Sequence, residues 1–273
     1  MKFLSIVQLT FRESLAKKTF IAFLIISTII NLLFLLALNL DIVDGMQSSI
    51  SIFGEQTDQI INLQEIIYGV EGFVAVMLFT VGIFMALFAT SGLIPTLLQP
   101  GFIDLFISKP VSRFEILSGR YLGAVAIVAL NIFYLVIGTW LIMSLKTGIW
   151  NFGFLLGGAL IVLTFAILFA LMTLLGIVSK SGPLSLMITY LILFFSPLLK
   201  QRDSIYALLS SKIYGQIIDG LYYFLPKTSE LGSITQRLTR GLEINTWTPL
   251  WTSLAFGIFI FLLSAYIFQR KNF

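Results

Sequence analysis

Phe152 to Ser179 reads F-G-F-L-L-G-G-A-L-I-V-L-T-F-A-I-L-F-A-L-M-T-L-L-G-I-V-S, with no charged residue anywhere in it. Wound as an α-helix this stretch would be roughly 42 Å long, more than the hydrocarbon core of a bilayer requires. It is apolar all round, which a water-facing helix is not. It is therefore read as a membrane span. Five further stretches of the same kind lie around it: Thr19–Leu40, Gly72–Leu98 with Pro95 near its end, Tyr121–Leu145, Pro183–Leu199 with Pro197 near its exit, and Pro249–Phe268. None holds Asp, Glu, Lys or Arg in its interior. A charge at the bilayer centre costs about 2.5–3.5 kcal/mol on insertion scales. Ion-coupled transporters nevertheless keep a few, so the pattern points away from that class.

Composition agrees. The chain of 273 residues is 58% hydrophobic and 11% charged, with a mean hydropathy of +1.00. Soluble domains average about 25% charged residues, so this chain has too little polar surface for a soluble fold of its size. Cysteine and histidine are both absent. That removes disulfides, thiolate nucleophiles, the commonest metal ligand and the commonest general base. Neither a metal site nor a cofactor is expected on this chain. There is no G-x-x-x-x-G-K-[ST] phosphate loop, and Ser and Lys show no nucleophile–base spacing. No enzyme activity is expected.

The net charge of +4 is read as topology. Lys2, Arg12, Lys17 and Lys18 precede the first span; Lys109, Arg113 and Arg120 follow the second. Lys180 follows the fourth, and Arg270 and Lys271 the sixth. The segment Asp41 to Glu71 carries six acids and no base. The positive-inside rule then puts both termini and the Gln99–Arg120 loop in the cytoplasm. The long mixed-charge segment 200–248 is expected outside. The apolar core near the N-terminus is too long for a cleavable signal peptide, and no A-x-A-like site follows Leu36. One membrane domain, 1–273, is the economical reading.

The parts between spans carry more information. Residues 1–18 place Leu4, Val7, Phe11 and Leu15 on one stripe, which predicts an interfacial helix at the inner headgroups, with Ile6 and Leu9 spoiling its polar face. The alternative is a basic flank that only sets topology. Ile205, Leu208, Leu209, Ile213, Ile217, Leu221 and Leu225 recur at helical steps and predict an outer helix ended by Pro226. Tyr206, Tyr214, Tyr222 and Tyr223 suit an interface. That helix is either a docking lid or a cap over the bundle. Asn31, Asn39, Asn131, Thr80, Thr90, Thr164, Thr173, Ser185 and Thr189 are expected to make interhelical hydrogen bonds, and Gly138, Gly157, Gly158 and Gly176 to allow close helix approach.

The segment Gln99 to Gly123, Q-P-G-F-I-D-L-F-I-S-K-P-V-S-R-F-E-I-L-S-G-R-Y-L-G, is a polar island in this chain. Pro100-Gly101 ends a helix. Phe102 to Phe106 make a short apolar run around Asp104. Lys109-Pro110 is a turn, and Ser112 with Glu115 is a capping box that opens the third span. The residues alone fit either a rigid, shaped protrusion or a plain intracellular hairpin.

The motif G-x-I-D-L-x-x-S-K-P-V-S-R-x-E-x-L-x-G-R-Y-L-G over Gly101–Gly123, with the amphipathic N-terminus and six spans, resembles the type-2 permeases of ATP-binding cassette (ABC) transporters. Within them it is most similar to the NosY-like subgroup, which serves copper-enzyme maturation. The resemblance implies an all-α exporter permease with an N-terminal elbow helix. It implies that the 99–120 loop holds a coupling helix, which docks on a separate cytoplasmic ATPase carrying the ATP and Mg. On that basis Phe102, Asp104, Leu105, Phe106, Lys109, Pro110, Arg113 and Glu115 form the ATPase-coupling site. A second permease copy is expected, as a homodimer or a heterodimer, in the inner membrane, and an extracytoplasmic partner is a further expectation. The expected function is ATP-driven export of an unidentified substrate. The alternative is a mechanotransmitter that passes force to an outside partner without moving a solute. Copper is not argued from these residues.

Overall fold

The computed structural model describes residues 2–16, 18–40, 50–52, 55–56, 63–99, 112–202 and 212–271. Its elements are α1 (Lys2–Ala16), α2 (Lys18–Ala37), α3 (Leu63–Met77), α4 (Ile83–Thr90), α5 (Leu93–Leu97), α6 (Arg113–Thr147), α7 (Phe152–Ser179), α8 (Gly182–Lys200), α9 (Lys212–Phe224), α10 (Thr228–Thr239) and α11 (Thr248–Arg270). A π-helical turn, Leu78–Gly82, joins α3 to α4. Between α2 and α3 lies a small antiparallel ribbon: β1 (Leu38–Leu40), β2 (Ile50–Ile52) and β3 (Glu55–Gln56), with Leu38 opposite Ile52 and Ser51 opposite Gln56. Six helices are long and apolar enough to cross a membrane: α2, the α3–α5 run, α6, α7, α8 and α11. This is the all-α, six-span class that the hydropathy predicts, and the chain is an integral membrane protein.

The boundaries differ in informative ways. The first expected span ends at Ala37, and Leu38–Leu40 are strand. The second helix starts at Leu63, nine residues before Gly72, so Glu65 and Glu71 are helical rather than in a loop. Glu65 falls in the first turn, where the helix dipole favours an acid. Glu71 is fully buried. The third starts at Arg113, taking Glu115 and Arg120 into the helix. Charge-free hydropathy windows find the middle of a span and miss ends whose charges are satisfied by protein.

The central helix is α7. Phe154, Ile161, Phe165, Leu168, Phe169, Met172 and Ile177 are all buried along it, and α6, α8, α10 and α11 pack around it. Tyr121 of α6 stacks on Phe169 with ring centroids 5.4 Å apart, and its hydroxyl donates to the Ala166 carbonyl at 2.7 Å. The helix α2, by contrast, is mostly exposed along its length, as a lipid-facing span would be.

The interfacial-helix expectation holds for the helix but not for its face. In α1 the buried residues are Ile6, Thr10 and Ser14, and Leu4 is 69% exposed. Ile6 therefore belongs to the packed face rather than spoiling a polar one; Phe11 and Leu15 pack at its edge. The reason is the partner. The helix α1 lies on α6 at Gly123, where a Cβ would come within 2.7 Å of the Thr10 Cβ. Only small side chains fit such an approach, and Thr10 satisfies its hydroxyl on the Ile6 carbonyl at 2.9 Å.

Most uncharged polar residues in the spans were expected to bond between helices. Asn31 does so: Thr139 donates to its Oδ1 at 3.0 Å, beneath Gly138. Thr80, Thr90, Thr164 and Thr189 instead donate to carbonyls four residues back on their own helices. Hydroxyls in a helix reach that carbonyl without any partner helix.

The expected outer helix is α9, closed by Pro226; Ile205, Tyr206, Leu208 and Leu209 lie outside the described residues. Tyr222 anchors it. Two cations approach its ring: the Arg202 guanidinium, 3.8 Å from the ring centroid, and the Lys227 ammonium, 4.3 Å away. Its hydroxyl donates to Glu230 at 2.6 Å. Burial, and then that bond and the Glu230 charge, push the hydroxyl's pKa up to about 12. The helix α10 was not expected. It is polar in sequence, yet it wedges Leu231 and Ile234 against α3, α7 and α8.

The α7–α10 contact gives a sharp test. A Cβ at Gly153 would sit 2.2 Å from the Leu238 carbonyl oxygen, whereas one at exposed Gly69 meets nothing within 4 Å. Gly153→Ala should destabilise by about 1–3 kcal/mol, the usual cost of overpacking. Gly69→Ala should stabilise by roughly 0.5–1 kcal/mol through helix propensity. Thermal melting in detergent should show opposite shifts.

Candidate functional site

Of the eight expected coupling residues, Phe102, Asp104, Leu105, Phe106, Lys109 and Pro110 lie outside the described residues, and Arg113 and Glu115 lie at the start of α6. The capping box is present in full. The Ser112 hydroxyl accepts from the Glu115 N–H at 3.1 Å, and Glu115 Oε2 accepts from the Ser112 N–H at 2.8 Å. The chain leaving the loop thus enters α6 at a fixed angle. Glu115 has a structural task here, whatever else it touches.

Arg113 reaches across to the end of the last span. Its Nη1 donates to the Gln269 carbonyl at 3.0 Å and the Lys271 carbonyl at 2.6 Å. These are carbonyls at the C-terminus of α11, where backbone acceptors lack helical partners and the helix dipole favours a cation. Lys271 in turn donates to the Ile177 carbonyl near the end of α7. Burial, and then the Lys180 charge, hold the Lys271 pKa below the ordinary lysine value.

Two turns further along α6, Arg120 is fully buried and ion-paired with Glu13 of α1. The first two turns of α6 are therefore tied by charge to α1 on one side and to α11 on the other. Ser112, Arg113 and Glu115 were legible as a cap and a basic flank. The Glu13–Arg120 pair was not, because 107 residues separate its partners. An arginine two turns inside a long helix is its only sequence signal.

At the opposite end of the bundle a second polar cluster joins α3, α7 and α10. Asn151, the N-cap of α7, accepts from the Gly153 N–H at 3.0 Å. Its Nδ2 donates to Glu71 Oε2 at 2.6 Å and to the Thr239 carbonyl at 2.7 Å. Glu71 Oε1 is buried and takes no hydrogen bond among the described residues. The sequence reading left Glu71 in the acidic segment before the second span, whereas the structure puts it, buried, inside the apolar Leu63–Leu97 run. That removes one support for excluding ion-coupled transport. Among the described residues no group of three acids suits a metal ion.

Two half-open cavities flank the π turn. One, of about 560 Å³, lies between the α3–α4 run, α8 and α10. The other, of about 540 Å³ and almost wholly apolar, lies between α2, the α3–α4 run and α6.

A six-span helical bundle with an amphipathic first helix packed on the third span defines a polytopic membrane protein. The family model described as ABC-2 family transporter protein matches residues 4–273, and the chain belongs to that family. No curated protein gives a significant match to it.

The buried ion pair makes a specific claim. Glu13→Ala takes a carboxylate from a fully buried guanidinium. It should cost about 2–4 kcal/mol, below the fully buried case because Glu13 is about a third exposed. Glu13→Ala with Arg120→Met should recover most of that loss, since replacing a whole buried pair by apolar groups is often neutral. Melting temperatures of the two variants in detergent decide it.

Proposed function

We propose that this chain is the permease subunit of an ABC transporter. It pairs with a separate cytoplasmic ATPase, which holds the ATP and Mg, and drives export of a substrate across the cytoplasmic membrane. The observation that carries the reading is the bracing of the α6 start: Arg113 on the end of α11, and Arg120 on α1. A loop that merely reverses the chain needs no such bracing. A loop that receives force does, because a compliant base would absorb the motion.

On this reading the 99–120 loop docks on the ATPase. Phe102, Leu105 and Phe106 supply a water-excluding patch, Asp104 and Lys109 fix register, and Pro110 stiffens the turn. Arg113 and Glu115 act as positioning residues that fix the loop's exit. The family match supports the partner class. Clustering of Lys180, Arg270 and Lys271 beside Arg113 supports a cytoplasmic placement of this end and of both termini. The whole chain works as one permease domain with a second copy, in the first instance identical. The sequence Ser108–Arg113 with Gly119–Gly123 supports a NosY-like affiliation. No observation favours the mechanotransmitter alternative.

A pull-down from native membranes should recover an ABC-type ATPase. Asp104→Ala, Phe106→Ala and Lys109→Ala together should leave insertion intact and weaken that association about tenfold or more, as expected for central interface residues. Unchanged association and ATP turnover in the triple variant would remove the coupling assignment.

A further inference from the structure

The cavity between the α3–α4 run, α8 and α10 has two unlike walls. On α10, Ser229, Ser233 and Gln236 recur at steps of four and three and line it, so they share one helix face. Lys200, at the end of α8, donates to Ser233 Oγ at 2.6 Å. The facing wall is aromatic. Phe84 stacks on Tyr190 at 4.0 Å and lies 6.4 Å from Phe194. The Tyr190 hydroxyl donates to the Phe84 carbonyl at 2.6 Å, which locks that wall in place. Phe79 and Thr80, from the π turn, also line it. Turns of this kind are frequent at functional sites.

The polarity is graded along the spans. Lys200 ends α8 and bonds Ser233, which lines the cleft from α10. Tyr190 lies ten residues before Lys200 on α8, roughly 15 Å deeper. At about 560 Å³ the space falls within the usual range for a ligand pocket. Phe194, Val81 and Met85 are exposed at its side, where the neighbours of a membrane protein are lipid chains. We infer that this cleft binds a single-chain anionic amphipath of the lysophospholipid kind, with the phosphate head at Lys200, Ser233 and Gln236 and the chain along Phe84 and Phe194.

The arrangement accounts for both walls at once. A phosphate offers acceptors to the Lys200 ammonium and the Gln236 amide, and to the Ser233 hydroxyl once that gives up its 3.1 Å bond to the Ser229 carbonyl. A pre-locked aromatic wall receives the chain with little ordering cost. Calling this ligand the exported substrate rests on the permease reading; the binding itself does not.

The test uses the full chain alone, purified in a mild detergent. Palmitoyl lysolipids with glycerol-phosphate or phosphocholine heads are added in equal amounts, and retained lipid is counted by native mass spectrometry. The anionic lipid should be retained about five- to tenfold better, a difference of roughly 1–1.4 kcal/mol. Lys200→Ala should erase that preference and leave ATPase co-purification unchanged. Thr80→Trp, which fills the cleft from an exposed position, should abolish retention of both lipids with the melting temperature preserved. Equal retention of the two heads by the native chain, or retention unchanged by Thr80→Trp, would overturn the inference. So would loss of a dimer on Thr80→Trp with no lipid held by the native chain, which would assign the cleft to a second copy. A failed ATPase pull-down with this lipid preference intact would count against the permease reading alone.

Discussion

The structure turns on charge buried at the start of α6. A guanidinium with no exposed surface is expensive to take out of water, and only close acceptors make it tolerable. Arg120 is such a group, and Glu13 of α1 is its anion. Two turns earlier Arg113 spends its donors on the terminal carbonyls of α11. These bonds bring α1, α6 and α11 together at one end of the bundle. The N-terminal helix and the third and sixth spans are thereby held together by a polar constraint, while the apolar surfaces alone would allow many arrangements.

The same logic shows what was legible in the sequence. Span centres were, because the bilayer demands long charge-free runs and little else satisfies that demand. The capping box at Ser112–Glu115 was, because both partners lie within one turn. The ends of the spans were not. Glu71 and Arg120 look like loop and flank charges until Asn151 and Glu13 are found beside them. The packed face of α1 was misread for a related reason: periodicity detects apolar residues, and this face is built on Ile6, Thr10 and Ser14, with the small Thr10 set against Gly123 of α6. The helix α10 was missed because its buried hydroxyls, such as Thr235 and Thr239, bond their own backbone and so are harmless in a core. Six of the eight expected coupling residues fall outside the described part of the chain, so the candidate site is known from its frame.

The two ends of the bundle differ in kind. The α1 end is braced by cations placed on helix C-termini and on one carboxylate. The other end joins α3, α7 and α10 through Asn151, which caps one helix and bonds two others. Between them the π turn, Leu78–Gly82, interrupts the regular ladder of the second span, and both large cavities open beside it. A bundle stiff at one end, with space around an irregular helix in the middle, suits conversion of a push at the α6 start into rearrangement around the cavities. That is the work proposed for an ABC-2 permease.

The central claim is that α1, the start of α6 and the end of α11 move as one block. The chain has no cysteine, so paired spin labels can be placed without background. Leu9 and Tyr266 are exposed within the block, and Leu191 is exposed outside it. With the proposed ATPase partner in nanodiscs, ATP should leave the distance between labels at Leu9→Cys and Tyr266→Cys unchanged. It should shift the distance between labels at Leu9→Cys and Leu191→Cys. Equal ATP-dependent shifts in both pairs would contradict the account.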